Sequence, residues 1–236
     1  MNGQSRFTAQ TPNPGAGKRV QSVLLARFID QIVSGVFPEG ETLPSELELA
    51  QTYSVSRTAL REAMQHMGAQ GLVRSRTRAG TVVLPRDNWN YLDPTVLEAA
   101  LRHHTDERFY LSLLDARHLL EPAAAAQAAA SATPEEMAVI EEALQAMIEA
   151  NARDNEAWSK ADLDFHTAII AASGNWVYRQ FISAIRAALL SSFRLTNRAS
   201  HSHSDAIRLH RDVCAAICTR RPEAARAAME RLIGLA

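Results

Sequence analysis

The most constraining feature of this sequence is a pair of helix start signals that lie close together along the chain. Ser45 and Glu48 have the spacing of a capping box, which predicts a helix over residues 46–53. After a break at residues 54–55, Ser56 is a suitable N-cap for another helix. Two helices joined by so short a connection indicate a helix-turn-helix.

The residues on either side of this pair predict how the unit is completed. An apolar helical periodicity that starts at Val20 predicts a preceding helix, and β-prone runs over residues 72–75 and 81–84 predict a hairpin. A winged helix-turn-helix has this order of elements: two helices, a short break, a third helix and a hairpin. We therefore expect this fold over residues 20–86, after a polar, flexible tail over residues 1–19.

The remainder of the chain is rich in helix signals. Asp93-Pro94 and Thr133-Pro134 are typical helix starts, because proline suits the first helical turn. The predicted fold class is thus mainly α. The N-terminal winged helix-turn-helix with its small β-hairpin is followed by a linker over residues 87–92 and by a C-terminal, all-α antiparallel helical bundle over residues 93–236.

Composition excludes several classes of protein. No apolar run approaches the roughly 18 residues of a membrane-spanning helix, and the N-terminus lacks the apolar core of a secretory signal. We therefore expect a cytoplasmic protein that does not contact a membrane. The two cysteines, Cys214 and Cys218, cannot form a disulfide framework, and we expect them to be small buried hydrophobic residues.

The charge is distributed unevenly along the chain. Residues 1–86 carry a formal charge of +4 and the rest of the chain −5, although the net charge of the whole is only −1. A basic N-terminal part on an acidic C-terminal part favours a polyanionic partner at one end of the chain.

The helix that follows Ser56 presents two different faces. Leu60, Ala63, Met64 and Met67 fall on one face and are expected to pack inward, as helical spacing predicts. The other face carries a basic and polar set near the helix start: Arg57, Thr58 and Arg61. Arginine offers the two-pronged donor that reads guanine in the major groove, whereas an isolated pair of arginines is also common on a solvated helix.

The sequence of this unit resembles the DNA-binding domain of the GntR-type bacterial transcription regulators. The residues that carry the resemblance are PEGETLPSELELAQTYSVSRTALREAMQHMGAQGLVRSRTRAGTVV. It implies that Arg57 and Arg61 read bases and that Ser56 and Thr58 contact the DNA backbone. The expected DNA-contacting residues lie at the helix caps, on the recognition helix and in the wing: Ser45, Ser56, Arg57, Thr58, Arg61, Arg76, Arg78 and Gly80.

The C-terminal part contains one group of candidate metal ligands. Asp162 and His166 are one helical turn apart, and His210 follows on a later helix. A carboxylate with two imidazoles suits Zn²⁺, Ni²⁺ or Mn²⁺. On spacing alone, an aspartate and a histidine one turn apart are more often a surface pair or a hydrogen-bonded core histidine.

The segments ARHLLEP, ADLDFHTAIIAASGN and LHRDVCAAICTRRPEAARAAMERL resemble the FadR-type C-terminal ligand-binding domain. The resemblance implies that Asp162, His166 and His210 are three of four family metal ligands, and that Leu232 occupies the fourth position. It also implies an anionic effector, with four candidate contacts: Arg117, Asn175, Arg194 and Asn197. The alternative for Arg117 is a structural ion pair with Glu121.

These observations together predict a non-enzymatic regulator without catalytic residues. We expect a homodimeric transcription factor, most often a repressor in this family, that binds a palindromic double-stranded DNA operator and responds to a small carboxylate such as a sugar acid. Two alternatives remain open: a metal-dependent hydrolase tethered to DNA, and a regulator of another ligand class such as an acyl-CoA.

Overall fold

A computed structural model of the chain describes residues 14–76, 80–103, 107–150, 155–196 and 203–234. The chain divides into two compact units, Met1–Asn90 and Tyr91–Ala236. No helix among the described residues is long and apolar enough to cross a membrane.

The first unit contains three α-helices and a two-stranded hairpin. Its elements are α1 (Pro14–Val33), α2 (Glu46–Thr52), α3 (Arg57–Ala69), β1 (Val73–Arg76) and β2 (Gly80–Val83). The predicted fold class is therefore confirmed for this part. Helix α1 begins at Pro14, six residues before the predicted start at Val20. Residues 1–13 lie outside the described part, and the domain bounds stay predictions.

Local capping explains where α2 and α3 begin. The Ser45 hydroxyl accepts a hydrogen bond from the Glu48 N–H, and the Glu48 carboxylate accepts one from the Ser45 N–H, which completes the predicted capping box. The Ser56 hydroxyl accepts a hydrogen bond from the Ala59 N–H at the start of α3. Each cap satisfies a backbone N–H that has no partner inside its helix.

The hairpin is antiparallel, with Val73 opposite Val83 and Arg76 opposite Gly80. The segment just before α2 also pairs with β2, through an antiparallel bridge between Thr42 and Val82. This bridge connects the segment to the β1–β2 hairpin, which is the wing. The hydrophobic core beneath these elements includes one residue from each: Phe28, Leu49, Leu60, Val73 and Val83.

The second unit is helical throughout its described part. It contains α4 (Pro94–His103), α5 (Glu107–Ser131), α6 (Pro134–Ala150), α7 (Asn155–Ala172), α8 (Trp176–Gln180), α9 (Ile182–Thr196), α10 (His203–Cys218) and α11 (Pro222–Ile233). Helices α8 and α9 are separated at Phe181, which caps the C-terminus of α8. The hydrophobic core of this unit combines alanines with large side chains such as Phe165 and Met229.

The alanines of α5 explain how helices can lie close together around this core. Ala124, Ala125, Ala128 and Ala129 are fully buried. They belong to the same core cluster as residues of α7, α10 and α11. Because alanine is small and favours helix, these positions allow neighbouring backbones to approach without a loss of helical stability.

Two glycines of the first unit share a left-handed backbone but differ in their surroundings. At Gly71, with φ of 72°, an added Cβ would lie 2.1 Å from the Asn88 carbonyl oxygen, whereas at Gly40, with φ of 81°, it would meet nothing within 4 Å. We expect Gly71→Ala to lower the free energy of unfolding by about 3 kcal/mol and Gly40→Ala by about 1 kcal/mol. Urea unfolding of the full chain measures both values, and equal losses would contradict the close approach at Gly71.

Candidate functional site

The exposed side of α3 carries the predicted base-reading residues. Arg57, Thr58 and Arg61 are exposed, whereas Leu60 and Met67 on the opposite side are fully buried. The orientation of α3 in its core therefore directs both arginines outward, as helical spacing predicts. Met64, which was expected to be buried, is only partly buried.

Arg61 has an intramolecular partner. Its Nε donates a hydrogen bond to the Glu46 carboxylate of α2 at 2.9 Å, and the two side chains are 67% and 46% exposed. An ion pair this exposed contributes about 1 kcal/mol or less, so the Arg61 guanidinium can exchange Glu46 for an acceptor on a partner at small cost.

The wing carries further basic residues. Arg74 and Arg76 are exposed on β1. Gly80 starts β2 with φ of 82°, and a Cβ there would lie 2.9 Å from the Thr42 methyl group. Arg78, the other expected wing contact, lies outside the described residues.

Both of the expected DNA-contacting serines also have structural roles. The Ser45 hydroxyl donates a hydrogen bond to the Glu48 carboxylate at 2.7 Å and accepts one from the Glu48 backbone. The Ser56 hydroxyl accepts one from α3, and its own proton remains available as a donor. Both side chains are exposed at helix N-termini, where phosphate oxygens are bound most readily.

In the second unit the structure brings the three predicted metal ligands together. Asp162 and His166 lie on α7 and His210 on α10, and all three are buried. The Asp162 Oδ1 lies 2.9 Å from the His210 Nε2 and 3.7 Å from the His166 Nε2. The aromatic ring of Phe165 packs edge-on against both imidazoles.

The other nitrogen of each imidazole is held by an acceptor. The His210 Nδ1 lies 2.7 Å from the Ala206 carbonyl oxygen, and the His166 Nδ1 contacts the Glu121 carboxylate. A carbonyl and an ionised carboxylate can only accept, so both Nδ1 atoms carry hydrogen. Both Nε2 atoms are therefore directed at Asp162. Metal-ligating histidines have the same arrangement, in which the other ring nitrogen donates to an acceptor that orients the imidazole.

The contact between His210 and Asp162 requires positive charge. With Nδ1 protonated, a neutral His210 presents the lone pair of its Nε2 to the Asp162 carboxylate. Burial by itself raises the pKa of Asp162. The hydrogen bond with His210, followed by the charges of His166 and His210, outweighs burial and lowers this pKa. Either a second proton on His210 or a cation shared by Nε2 and Oδ1 removes the repulsion. The donor set therefore fits a divalent metal ion.

Glu121 connects this cluster to an arginine. One carboxylate oxygen of Glu121 contacts His166, and the other accepts a hydrogen bond from the Arg117 Nε at 2.7 Å. Burial by itself raises the pKa of Glu121, but the neighbouring His166 and Arg117 lower it to about 2. Glu121 is thus an ionised bridge between the guanidinium and the imidazole. The sequence predicts Glu121 only as the alternative partner of Arg117, because Glu121 and His166 are 45 positions apart along the chain.

Arg117 keeps an unused donor. The side chain is 2% exposed, and its Nη1 has no hydrogen-bond acceptor within the described part of the chain. The ion pair with Glu121, the sequence-based alternative, is therefore present and still leaves one buried nitrogen of the guanidinium unsatisfied. A buried N–H of this kind favours an anionic ligand, because an unpaired charged donor is costly in the protein interior.

Among the other predicted effector contacts, Asn175 is the one whose side chain the structure describes. The Asn175 side chain caps α8 by accepting hydrogen bonds from the Val177 and Tyr178 N–H groups. Arg194 lies in α9 with its side chain outside the described part, and Asn197 lies outside it altogether. Leu232, which the resemblance places at the fourth ligand position, is buried in the hydrophobic core, and its side chain has no ligand atom.

Two known protein families match parts of the chain. "Bacterial regulatory proteins, gntR family" matches residues 22–83, and "FCD domain" matches residues 112–235. The galactonate operon transcriptional repressor of Escherichia coli is 38% identical over 70% of this chain and 72% of its own length. The chain is a GntR-family transcriptional regulator with an FCD domain. The expected family is confirmed. The alternative of a tethered hydrolase is set aside, because the matching family and the Escherichia coli relative are named as regulators and not as enzymes.

Other relatives of this regulator are similar in sequence or in fold. LutR of Bacillus subtilis is 33% identical over 71% of this chain and 74% of its own length. The putative L-lactate dehydrogenase operon regulatory protein of Escherichia coli is 34% identical over 66% of this chain and 59% of its own. The solved structure of Lar, which controls the agr system of Listeria monocytogenes, covers 98% of this chain and 96% of its own with a TM-score of 0.60 and 19% identity. At that identity the likeness concerns the fold alone.

The buried pair between Arg117 and Glu121 can be compared with an exposed pair of the same spacing, Glu98 and Arg102 on α4. We expect Glu121→Gln to lower the free energy of unfolding by about 3 kcal/mol, because it leaves a buried guanidinium without a counter-ion. Glu98→Gln should cost about 0.5 kcal/mol or less. Denaturant unfolding of the metal-free regulator measures both, and a loss at Glu121 as small as at Glu98 would contradict an ionised Glu121.

Proposed function

We propose that this regulator is a homodimeric repressor that a small organic acid releases from its operator, with a divalent cation held in the FCD domain. The observation that carries the proposal is the buried cluster of the second unit. Two imidazoles direct their Nε2 atoms at one carboxylate, and an arginine beside them keeps an unused donor. Buried polar groups arranged in this way favour a ligand that supplies both a metal-binding oxygen and a negative charge.

Arg57 and Arg61 of the first unit are proposed to read bases in the major groove. Both are exposed at the start of α3, the part of a recognition helix that reaches base edges in helix-turn-helix proteins. Arg74, Arg76 and the serine caps would contact the DNA backbone or minor groove. A dimer would present two such helices to a palindrome with half-sites about 34–36 Å apart.

Asp162, His166 and His210 would hold the cation. A bound divalent cation would act as a Lewis acid that attracts oxygen ligands. Three protein ligands leave coordination positions for an effector or water, since Leu232 cannot contribute one. The chain's own contribution is orientation: the Ala206 carbonyl and Glu121 hold the two imidazole rings with Nε2 free to coordinate.

The effector is proposed to be a hydroxy acid. Its carboxylate would pair with the Arg117 Nη1, and its hydroxyl or second carboxylate oxygen would complete the cation's coordination. Galactonate and lactate, the compounds in the names of two relatives, both have a hydroxyl beside a carboxylate. Arg194, Asn175 and Asn197 remain candidate contacts for the rest of such a molecule.

Release of DNA requires that the effector binds one state of the dimer more tightly than the other. The cluster joins α5, α7 and α10 through Arg117, Glu121, His166, Asp162 and His210. A ligand that uses both Arg117 and the cation would alter the spacing of these helices and, through the dimer, the distance between the recognition helices.

The base-reading proposal is tested on an operator selected from random DNA with the wild-type chain. Arg61→Ala is expected to weaken operator binding by about tenfold or more, and to weaken unselected competitor DNA less, because a two-pronged base contact is worth about 1–3 kcal/mol. Fluorescence anisotropy measures both affinities. Arg226→Ala, at a partly exposed arginine on α11, is the control and should change neither. Equal losses on both DNAs would make Arg61 a phosphate contact.

The metal and effector proposal is tested with two aspartates of α7. Asp162→Asn is expected to lower the affinity for Zn²⁺, Ni²⁺ or Mn²⁺ by at least about tenfold, because it removes the shared carboxylate. Asp164→Asn, which only breaks an exposed pair with Lys160, should leave it unchanged. Elemental analysis after dialysis against Mn²⁺, which imidazole and carboxylate ligands bind and thiols do not favour, measures the difference.

The same two variants then serve in the release experiment. D-Galactonate and L-lactate are added to the metal-loaded protein on selected operator DNA, with acetate as a carboxylate that lacks the hydroxyl. We expect a hydroxy acid, and not acetate, to release DNA from wild type and Asp164→Asn, and release from Asp162→Asn to need at least about tenfold more acid. Release by the same concentration from both variants would contradict a role for the cation.

A further inference from the structure

A second group of metal-ligating side chains lies further along α10. Cys214 and Cys218 follow His210 at successive intervals of four residues, so the three side chains share one side of the helix. His210 belongs to the cluster with Asp162, whereas the two thiols face Glu141 of α6. The sequence predicted both cysteines to be small buried residues, and this is correct for Cys214, while Cys218 is only partly buried.

Two of the distances among the three donors match a tetrahedral thiolate site. The two Sγ atoms are 4.0 Å apart, and the Cys218 Sγ lies 3.5 Å from the Glu141 Oε1. Each of the three residues offers a ligand atom within 4.8 Å of the others. Zinc bonds of about 2.3 Å to sulfur and 2.0 Å to oxygen separate two tetrahedral sulfurs by about 3.8 Å, and a sulfur from an oxygen by about 3.5 Å.

We propose that Cys214, Cys218 and Glu141 form a binding site for a thiophilic cation of the Zn²⁺ class, separate from the site at Asp162. Two sulfurs and one carboxylate are donors that select such cations over Mg²⁺ or Mn²⁺. Glu141 is exposed, so an ion can enter from solvent, and a water molecule completes the coordination.

Both thiols are protonated when no metal is bound. Burial and the neighbouring Cys218 raise the pKa of Cys214 to about 12, and burial and Glu141 raise the pKa of Cys218. Neutral thiols are poor nucleophiles towards oxidants. On metal binding, each S–H bond breaks, each proton passes to solvent and each sulfur forms a bond to the cation. Neither sulfur changes its oxidation state.

An ion at this site would connect two helices that otherwise meet there through side-chain packing. Glu141 lies in the middle of α6, and the thiols lie in the last two turns of α10, the helix that carries His210. A bond network across them would stabilise the C-terminal half of α10. The stability of the FCD domain would then depend on the supply of thiophilic metal.

The test uses Co²⁺ added to the reduced, metal-free full chain. Sulfur-to-cobalt charge-transfer absorption reports a thiolate site and is absent from a site of only nitrogen and oxygen ligands, so the Asp162 site does not contribute. We expect the band to correspond at saturation to one sulfur-bound Co²⁺ per chain, to disappear when Zn²⁺ is added, and to persist in Asp162→Asn. Cys218→Ser should abolish it, and Glu141→Gln should weaken Co²⁺ binding by at least about tenfold.

Two controls make the result decisive. Glu142→Gln, at the neighbouring exposed position of α6, should bind Co²⁺ as wild type does. In the unmodified protein, Zn²⁺ should slow alkylation of both thiols, a measurement that requires no substitution. A missing charge-transfer band, unprotected thiols, or equal effects of Glu141→Gln and Glu142→Gln would each overturn the proposed site without bearing on the site at Asp162.

Discussion

The interaction on which the second unit depends is the pairing of charges inside its helical core. Arg117, Glu121, His166, Asp162 and His210 form one continuous chain of contacts through α5, α7 and α10. Removing a carboxylate or a guanidinium from water is costly, and only its partners recover that cost. The cluster therefore fixes how these three helices face one another, and it concentrates charge where a small charged ligand can be recognised.

The first unit depends on a different constraint, the burial of one side of α3. Leu60, Ala63 and Met67 lie in the core, so the arginines at positions 57 and 61 must face outward. The capping groups of Ser45 and Ser56 then determine where α2 and α3 begin and hence how short their connection is. Recognition in this unit is a consequence of helix geometry, and it needs no buried polar group.

The candidate ligands show how far sequence reasoning reaches. Asp162 and His166 could be placed side by side because a helix repeats every 3.6 residues, and His210 could be added through the resemblance to a known domain. The contacts of Glu121 with His166, and of Glu141 with Cys218, join residues 45 and 77 positions apart. No local periodicity carries that information. The apolar periodicity that begins at Val20 also did not indicate the turns of α1 before that residue.

By itself the amino-acid sequence determined the helical class, the winged unit, the outward side of the recognition helix and the residue types able to bind metal. These follow from periodicity, capping and side-chain chemistry, which act over a few residues. Tertiary structure alone decided that Arg117 is both paired and left with an unused donor, that both imidazoles turn Nε2 towards Asp162, and that two thiols meet a carboxylate. Such outcomes depend on how distant helices pack, because only packing brings their side chains within bonding distance.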